Sequence, residues 1–322
     1  MNQNPPIKGQ ALDATAYFSL PEWADNVEYE LGRVDKRYGQ LFLRQGPAVA
    51  CHWAQNIWLE PRIITFSSAK NAVEQLVAWF PRWQLYGEIL PALRQEITSL
   101  LPKTDAMPLA FPVQALPKTS GSCALLDAHT LLASARCTSP FPGGKIEFRE
   151  NRKQPPSSAY LKLWEALTRL GRHPQPLNSC LDAGACPGGW TWVFDTLGAS
   201  VLALDRSPLD PRLMASPRVK FRSGNAFAVT PQNLGEFGFD KLDWLCSDLI
   251  CYPDKLLEWV RLWLDSGKVA NFVVTLKMQG QPDWASIAAF AAIPQSLVYH
   301  GSYNKHELTW IHPIESGKAG AG

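Results

Sequence analysis

The run LDAGACPGGW, residues 181–190, decides how the second half of the chain folds. An apolar run meets an acid, Asp182, and then gives way to Gly184, a proline and the pair Gly188 and Gly189. This is the pattern of a strand running into a tight, glycine-lined turn. Downstream, WTWVFDTLGA carries apolar residues at helical spacing, and SVLALDRS (200–207) is a second strand with Asp205 near its end. LDWLCSDLI (242–250) and VANFVVTLKM (269–278) are near-continuous apolar runs, with the helical PDKLLEWVRLWLDSG between them. Parallel strands buried on both faces and joined by crossover helices read this way. The pattern predicts an α/β open sheet, whose ligands sit at the carboxyl ends of its strands.

The turn itself narrows the ligand. A phosphate-binding P-loop needs Gly-Lys-Ser/Thr after its four spacer residues, whereas Trp190 follows the glycine pair here. The dinucleotide fingerprint needs a second glycine that lets the backbone approach a pyrophosphate, and Cys186 occupies that place. What remains is an uncharged or zwitterionic ligand, with Asp205 placed to accept hydrogen bonds from a ribose diol. S-adenosyl-L-methionine, with no phosphate, fits that description. The competing reading of these ten residues is a structural turn beside an ordinary strand-end acid.

The 322 residues suffice for about two domains, and a hydrophobic content of 46% supports a packed core. A net charge of +2 neither demands nor excludes nucleic acid, so a local patch would have to carry any attraction. Seven cysteines, at 51, 123, 137, 180, 186, 246 and 251, form no CxxC pair. No metal site is expected from them, and reduced thiols in a cytoplasmic protein are the simplest reading. The opening MNQNPPIKGQ lacks the order of a secretion signal, and no apolar run reaches membrane-spanning length.

The character changes near residue 150. Before it, QLFLR (40–44), IWLEPRIITF (57–66) and ALLDAHTLLASA (124–135) read as strands or hairpins, while residues 21–34, 69–80 and 88–101 carry helical spacing. This mixing predicts a smaller α+β domain over 1–150, followed by the α/β domain over 151–315 and a flexible tail over 316–322. Lys145, Arg149, Arg152 and Lys153 cluster at the junction, as a solvated linker or a loop that contacts phosphates.

Six motifs follow one another in the second half: PSSAYLKLWEAL (156–167), LDAGACPGGWT, ALDRSPL, WLCSDLICYPDK (244–255), FVVTLKM and YNKHELTW (303–310). In this order they resemble the FtsJ-type ribose 2′-O-methyltransferases, above all the bacterial family M that methylates a cytidine ribose of 23S ribosomal RNA. The resemblance covers about residues 140–312. It implies a Rossmann-like, S-adenosylmethionine-dependent methyltransferase domain and an RNA partner. In that family the N-terminal half is a THUMP-type RNA-binding domain, of which YELGRVDKRYGQLFLRQG and IITFSS are reminiscent. Carried over by motif, Lys162, Asp248, Lys277 and Glu307 form a catalytic tetrad. Cys186, Pro187, Gly188, Gly189, Trp190, Asp205, Asn225 and Asp248 line the cofactor. Two departures stand out: Asn225 where the family has an Asp, and Ala159 where it has a cofactor-contacting Ser. An insertion around TPQNLGEFGFDK separates Asn225 from Asp248.

The implied tetrad makes chemical sense. A ribose hydroxyl is a poor nucleophile, so the enzyme must place it in line and take its proton. A lysine does this when partly neutral; a second ammonium favours that state and carboxylates oppose it. Lys277 is assigned as the base and Lys162 as its like charge, with Asp248 and Glu307 orienting the amines. His306 is expected on the opposite face of the strand from Glu307, and Cys186 and Cys246 are read as packing thiols. The alternatives are a non-catalytic RNA-binding or assembly protein on the same fold, and a Rossmann-type oxidoreductase, which Cys186 disfavours.

Overall fold

The computed structural model describes residues 9–103 and 108–313. The proposed tail, residues 316–322, lies outside the described residues. The chain divides into two compact units: described residues up to 109 with 113–147 form the first, and 110–112 with 148–313 the second.

The first unit contains β1 (Gln10–Ala11), β2 (Ala14–Phe18), α1 (Ala24–Leu31), β3 (Lys36–Tyr38), β4 (Leu41–Gln45), β5 (Asn56–Leu59) and β6 (Arg62–Thr65). It continues with α2 (Ala69–Trp79), β7 (Trp83–Tyr86), α3 (Pro91–Leu100), β8 (Gly121–Asp127), β9 (Thr130–Ser134) and β10 (Arg136–Cys137). Two five-stranded sheets result, ordered β1-β6-β9-β8-β7 and β10-β5-β2-β4-β3. Ala72, Val73 and Leu76 of α2 and Ile97 of α3 pack with Ile64, Trp83, Leu85 and Leu131 of the first sheet. Ala16, Phe18, Leu43 and Trp58 of the second sheet pack with Tyr86, Ala124 and Leu132 of the first. The first sheet is thus covered by helices on one face and by the second sheet on the other. Ser68 caps α2 by accepting the Asn71 N–H at 3.2 Å, and Pro91 occupies the first turn of α3, where its missing N–H costs nothing.

The second unit runs α4 (Tyr160–Leu170), β11 (Ser179–Ala183), α5 (Gly189–Thr196), β12 (Ser200–Asp205), α6 (Pro211–Met214), β13 (Val219–Ser223) and β14 (Leu242–Ser247). Then follow α7 (Pro253–Ser266), β15 (Val269–Lys277), α8 (Trp284–Ala291), β16 (Leu297–Tyr299) and β17 (Glu307–His312). Its seven strands lie in the order β13-β12-β11-β14-β15-β17-β16. The five from β13 to β15 are parallel, and β17 runs antiparallel to both its neighbours. The chain winds outward from β11 to β13, then restarts on the other side at β14. The crevice between the carboxyl ends of β11 and β14 is therefore the switch point at which open α/β sheets bind ligands.

In the second unit β13, β16 and one pairing were not apparent in the sequence. β13 is too polar to read as a buried strand, because it forms the sheet edge. The antiparallel insertion of β17 between β15 and β16 leaves no mark in residue pattern. His306 is a correction: it precedes β17 and lies in the turn, where Nε2 meets the Gly280 carbonyl at 2.8 Å. The 230–241 insertion contributes a single 3-10 turn, Leu234–Phe237.

Candidate active site

Four charged side chains converge at the carboxyl edge of the second unit's sheet. Asp248 follows β14 directly, Lys277 closes β15 and Glu307 opens β17. Because β17 runs antiparallel, its start lies where β15 ends, and the register pairs Lys277 with Glu307 across the two strands. Lys162, in the first turn of α4, completes the group. Its Nζ donates to Asp248 Oδ1 at 2.8 Å, to Asp248 Oδ2 at 3.0 Å and to Glu307 Oε1 at 3.1 Å. Lys277 Nζ lies 3.2 Å from Asp248 Oδ1 and donates to the Asp248 backbone carbonyl at 2.6 Å. The four side chains are 11–20% exposed, so the cluster is mostly buried but open on one side.

The two amines are not equivalent. Lys162 meets two carboxylates. Burial works against its charge, but Asp248 and Glu307 outweigh burial and raise its pKa above the ordinary lysine value. Lys277 meets one carboxylate and a neutral carbonyl. Burial acts on Asp248 as well, yet Lys162 and Lys277 hold its carboxyl below the usual range. Thr275, fully buried on β15, adds a hydroxyl donor to Asp248 Oδ1 at 2.6 Å.

The glycine turn lies at the carboxyl end of the neighbouring strand and is tied to the end of β12. The N–H groups of Gly184 and Ala185 donate to Leu204 O at 2.9 and 3.1 Å, and Cys186 N–H donates to Asp205 Oδ2 at 3.0 Å. These three amides are therefore not available to a ligand. Gly184 has φ +83°, and a Cβ there would lie 3.0 Å from the Leu249 backbone N and Cα. Gly188 has φ +118°, and a Cβ would lie 2.3 Å from Leu213 Cδ1. Both positions need glycine for contacts within the chain. Pro187 is exposed on the turn and Gly189 opens α5.

Trp190 is placed inside the packing. Its ring is 2% exposed, and its Nε1 donates to Ala159 O at 2.8 Å, so it ties α5 to the start of α4. The side chain packs rather than lining an open crevice. The Asp205 carboxylate keeps acceptor capacity: beside Cys186 N–H it takes only Ser207 N–H, at 3.0 Å, among the hydrogen bonds of the described residues. Asn225 is exposed just after β13 and caps a short 3-10 turn by accepting Phe227 N–H at 3.1 Å. All seven cysteines are free; burial pushes the Cys246 thiol well above its ordinary value, which leaves it inert as a nucleophile. At the junction, Lys145 pairs with Glu147 at 3.5 Å and Arg152 with Glu150 at 2.9 Å, which halves the free charge of that stretch.

Two buried acids escaped the sequence reading. Asp182, 1% exposed under the turn, accepts the Thr191 hydroxyl at 2.6 Å through Oδ2, while Oδ1 has no partner. Burial pushes its carboxyl up to about 7, against the pull of that hydrogen bond. Glu165, one turn beyond Lys162 on α4, pairs with Arg169 at 2.9 Å and accepts Ser302 N–H at 2.8 Å. The same helix face thus holds both Glu307 and the loop that leads to it.

Residues 156–262 match the FtsJ-like methyltransferase family. The second unit carries an FtsJ-like methyltransferase domain. Among curated proteins, the ribosomal RNA large subunit methyltransferase M of Alkalilimnicola ehrlichii is 34% identical over 168 residues, 50% of this chain and 44% of that relative. The protein of the same name from Halorhodospira halophila is 33% identical over 141 residues, 43% of this chain and 39% of its own length. The chain spans under half the length of these relatives. Among solved structures, human methyltransferase-like protein 13 in complex with SAH aligns with a TM-score of 0.37 and 15% identity, over 49% of this chain and 83% of that one. Around the FtsJ-like domain, no group of three metal-ligating side chains and no helix long and apolar enough to cross a membrane occurs among the described residues.

Proposed function

We propose that this chain is an RNA 2′-O-ribose methyltransferase that uses S-adenosyl-L-methionine and acts on ribosomal RNA. The observation that carries the reading is the cluster of Lys162, Asp248, Lys277 and Glu307 at the carboxyl edge of an FtsJ-like sheet. The names of the curated relatives support the RNA class. For the cofactor, the fit rests on a turn whose Gly184, Ala185 and Cys186 amides are spent internally and on Asp205 beside it, an acid with acceptors left for a ribose diol. Cys186, Pro187, Gly188 and Gly189 would hold it through the turn, with Asp205 and Asn225 at the two neighbouring strand ends.

The cofactor supplies an already activated sulfonium methyl when bound. The chain must then hold the ribose 2′-oxygen in line and remove its proton. Lys277 Nζ takes that proton. Lys162, whose charge two carboxylates hold in place, remains an ammonium and acts as a donor to the ribose oxygen. Asp248 fixes both amines and Glu307 fixes Lys162. RNA suits this chemistry because the 2′-hydroxyl is what distinguishes it from DNA. The first unit serves as a THUMP-like RNA-binding domain in this reading, and the enzyme works in the cytoplasm where ribosomes assemble.

The test is product analysis. The full chain is incubated with methyl-labelled S-adenosylmethionine and unmodified ribosomal RNA, and the RNA is digested to nucleosides. Label in a 2′-O-methylnucleoside is the expected result. Label confined to a base, or no transfer into any RNA, contradicts the proposal.

A further inference from the structure

Beyond Asp248 the chain runs Leu249-Ile250-Cys251-Tyr252 before α7 begins. Both ends of this segment are fixed. Asp248 N–H donates to Ala183 O at 3.1 Å, and Lys277 holds the Asp248 carbonyl. Leu249 packs against Gly184. Pro253 is buried, and Leu256 N–H donates to Tyr252 O at 3.2 Å as the helix starts. Between these anchors, Ile250 is 80% exposed and Tyr252 63% exposed. No other two large apolar side chains exposed above 60% lie so near each other in sequence among the described residues. Exposed apolar groups on a pinned loop beside a charged cluster have no packing role, and such patches mark contact surfaces.

We infer that Ile250 and Tyr252 form a stacking platform for an unpaired nucleobase of the RNA, next to the ribose that Lys162 and Lys277 engage. This rests on the proposed function and names the part of the RNA that the site grips. The occupant follows from continuity with the cluster: Ile250 stands two residues and Tyr252 four residues beyond Asp248. A ribose whose 2′-oxygen lies at the amines carries its base within a few ångströms. That base must be splayed out to expose the sugar, and its apolar faces then need a partner. A phenol ring and a branched aliphatic chain supply flat, apolar contact that tolerates any base. Tyr252 acts through its ring, so its hydroxyl is dispensable. These two side chains lie outside the turn and Asp205, so cofactor binding does not depend on them.

The experiment is a comparison of two probes by fluorescence anisotropy in the presence of S-adenosylhomocysteine. One is a short single-stranded RNA; the other is the same strand with abasic ribose at its central positions. Wild type binds the base-bearing strand more tightly. Tyr252→Ala and Ile250→Ala each weaken that strand by roughly tenfold to a hundredfold, leave the abasic strand unchanged, and leave S-adenosylhomocysteine binding unchanged. The salt slope stays as in wild type, because stacking releases no counterions. Tyr252→Phe binds as wild type. The inference is overturned if both alanine variants bind the base-bearing strand normally, or if wild type does not distinguish the two probes. It is also overturned if the variants change only the sedimentation coefficient, which would make the face a contact between copies. Methyl transfer by wild type, measured separately, shows whether the proposed function survives any of these outcomes.

Discussion

The glycine turn at 184–189 and the charge cluster at 162, 248, 277 and 307 lie at the carboxyl ends of neighbouring strands, yet they are built on opposite plans. In the turn the leading amides are spent inside the chain. The Gly184, Ala185 and Cys186 amides are all taken, and Gly184 and Gly188 exist to let Leu249 and Leu213 come close. In the cluster, four charges are gathered where they stabilise one another only in part, with one amine doubly paired and the other singly paired. The turn is a shape held by packing; the cluster is charge held together by ion pairs at a mostly buried sheet edge. A glycine-rich motif therefore says where the backbone must pass.

The largest expected effect falls on the cluster. Asp248→Ala leaves two amines without their shared carboxylate in a mostly buried site, a loss of about 3 kcal/mol in stability together with loss of methyl transfer. Urea unfolding at pH 7 measures the first. The effect has a sign in pH. Asp248 titrates below its unfolded value, so its contribution is fully present above the ordinary aspartate pKa near 3.8 and is lost as pH falls through the lower folded value. The gap between wild type and variant should therefore close in strong acid. If the variant is as stable as wild type at neutral pH, the cluster is held by its surroundings and not by mutual attraction.

On the turn, Gly184→Ala should cost about 2 kcal/mol, because an alanine at φ +83° both strains the backbone and meets Leu249. A melting temperature unchanged from wild type would show that the turn has room to spare. Asp205→Ala should weaken S-adenosylmethionine binding by roughly tenfold to a hundredfold while leaving the fold intact. Calorimetry that found wild-type affinity would place the cofactor elsewhere.

A gentler change of slope is expected at Asp182. Its folded pKa of about 7 lies above the unfolded value of 3.8, so the folded state holds a proton that the unfolded state releases between them. Stability should fall as pH rises through that window, by at most about 1.4 kcal/mol per pH unit. Asp182→Asn, neutral throughout, should flatten the fall. An identical slope in both proteins would mean that Asp182 stays ionised.

The second unit was legible because its central strands are buried on both faces and read as apolar runs, and because the turn and the six motifs stand in a fixed order. The tetrad residues were legible one motif at a time; their distances were not, since they depend on β17 entering antiparallel beside β15. Asp182 looked like a strand-end acid, and only the fold shows Thr191 as its partner and an oxygen without one. Glu165 sits in a helical run whose periodicity marks its face but not the distant Ser302. The burial of Trp190 was not legible, because a motif position fixes the backbone of a turn and not where an indole points. In the first unit β4, β5, β6, β8, β9 and the three helices were readable and β1, β2, β3, β7 and β10 were not; the sorting into two packed sheets comes from pairings far apart in sequence, such as β2 with β5 and β6 with β9.

The most direct test of the account concerns Lys277 alone. Single-turnover methyl transfer to RNA is followed with protein and cofactor saturating, over a range of pH, for wild type, Lys277→Ala and Lys277→Arg. Loss of a general base lowers the rate by about 10²–10⁴. Arginine should not rescue it, because a guanidinium keeps its proton. Wild type should gain rate with pH through the cluster's ionisation while both variants stay slow and flat, with cofactor and RNA affinity nearly unchanged. Wild-type rates from Lys277→Arg would contradict the account and remove Lys277 as the base.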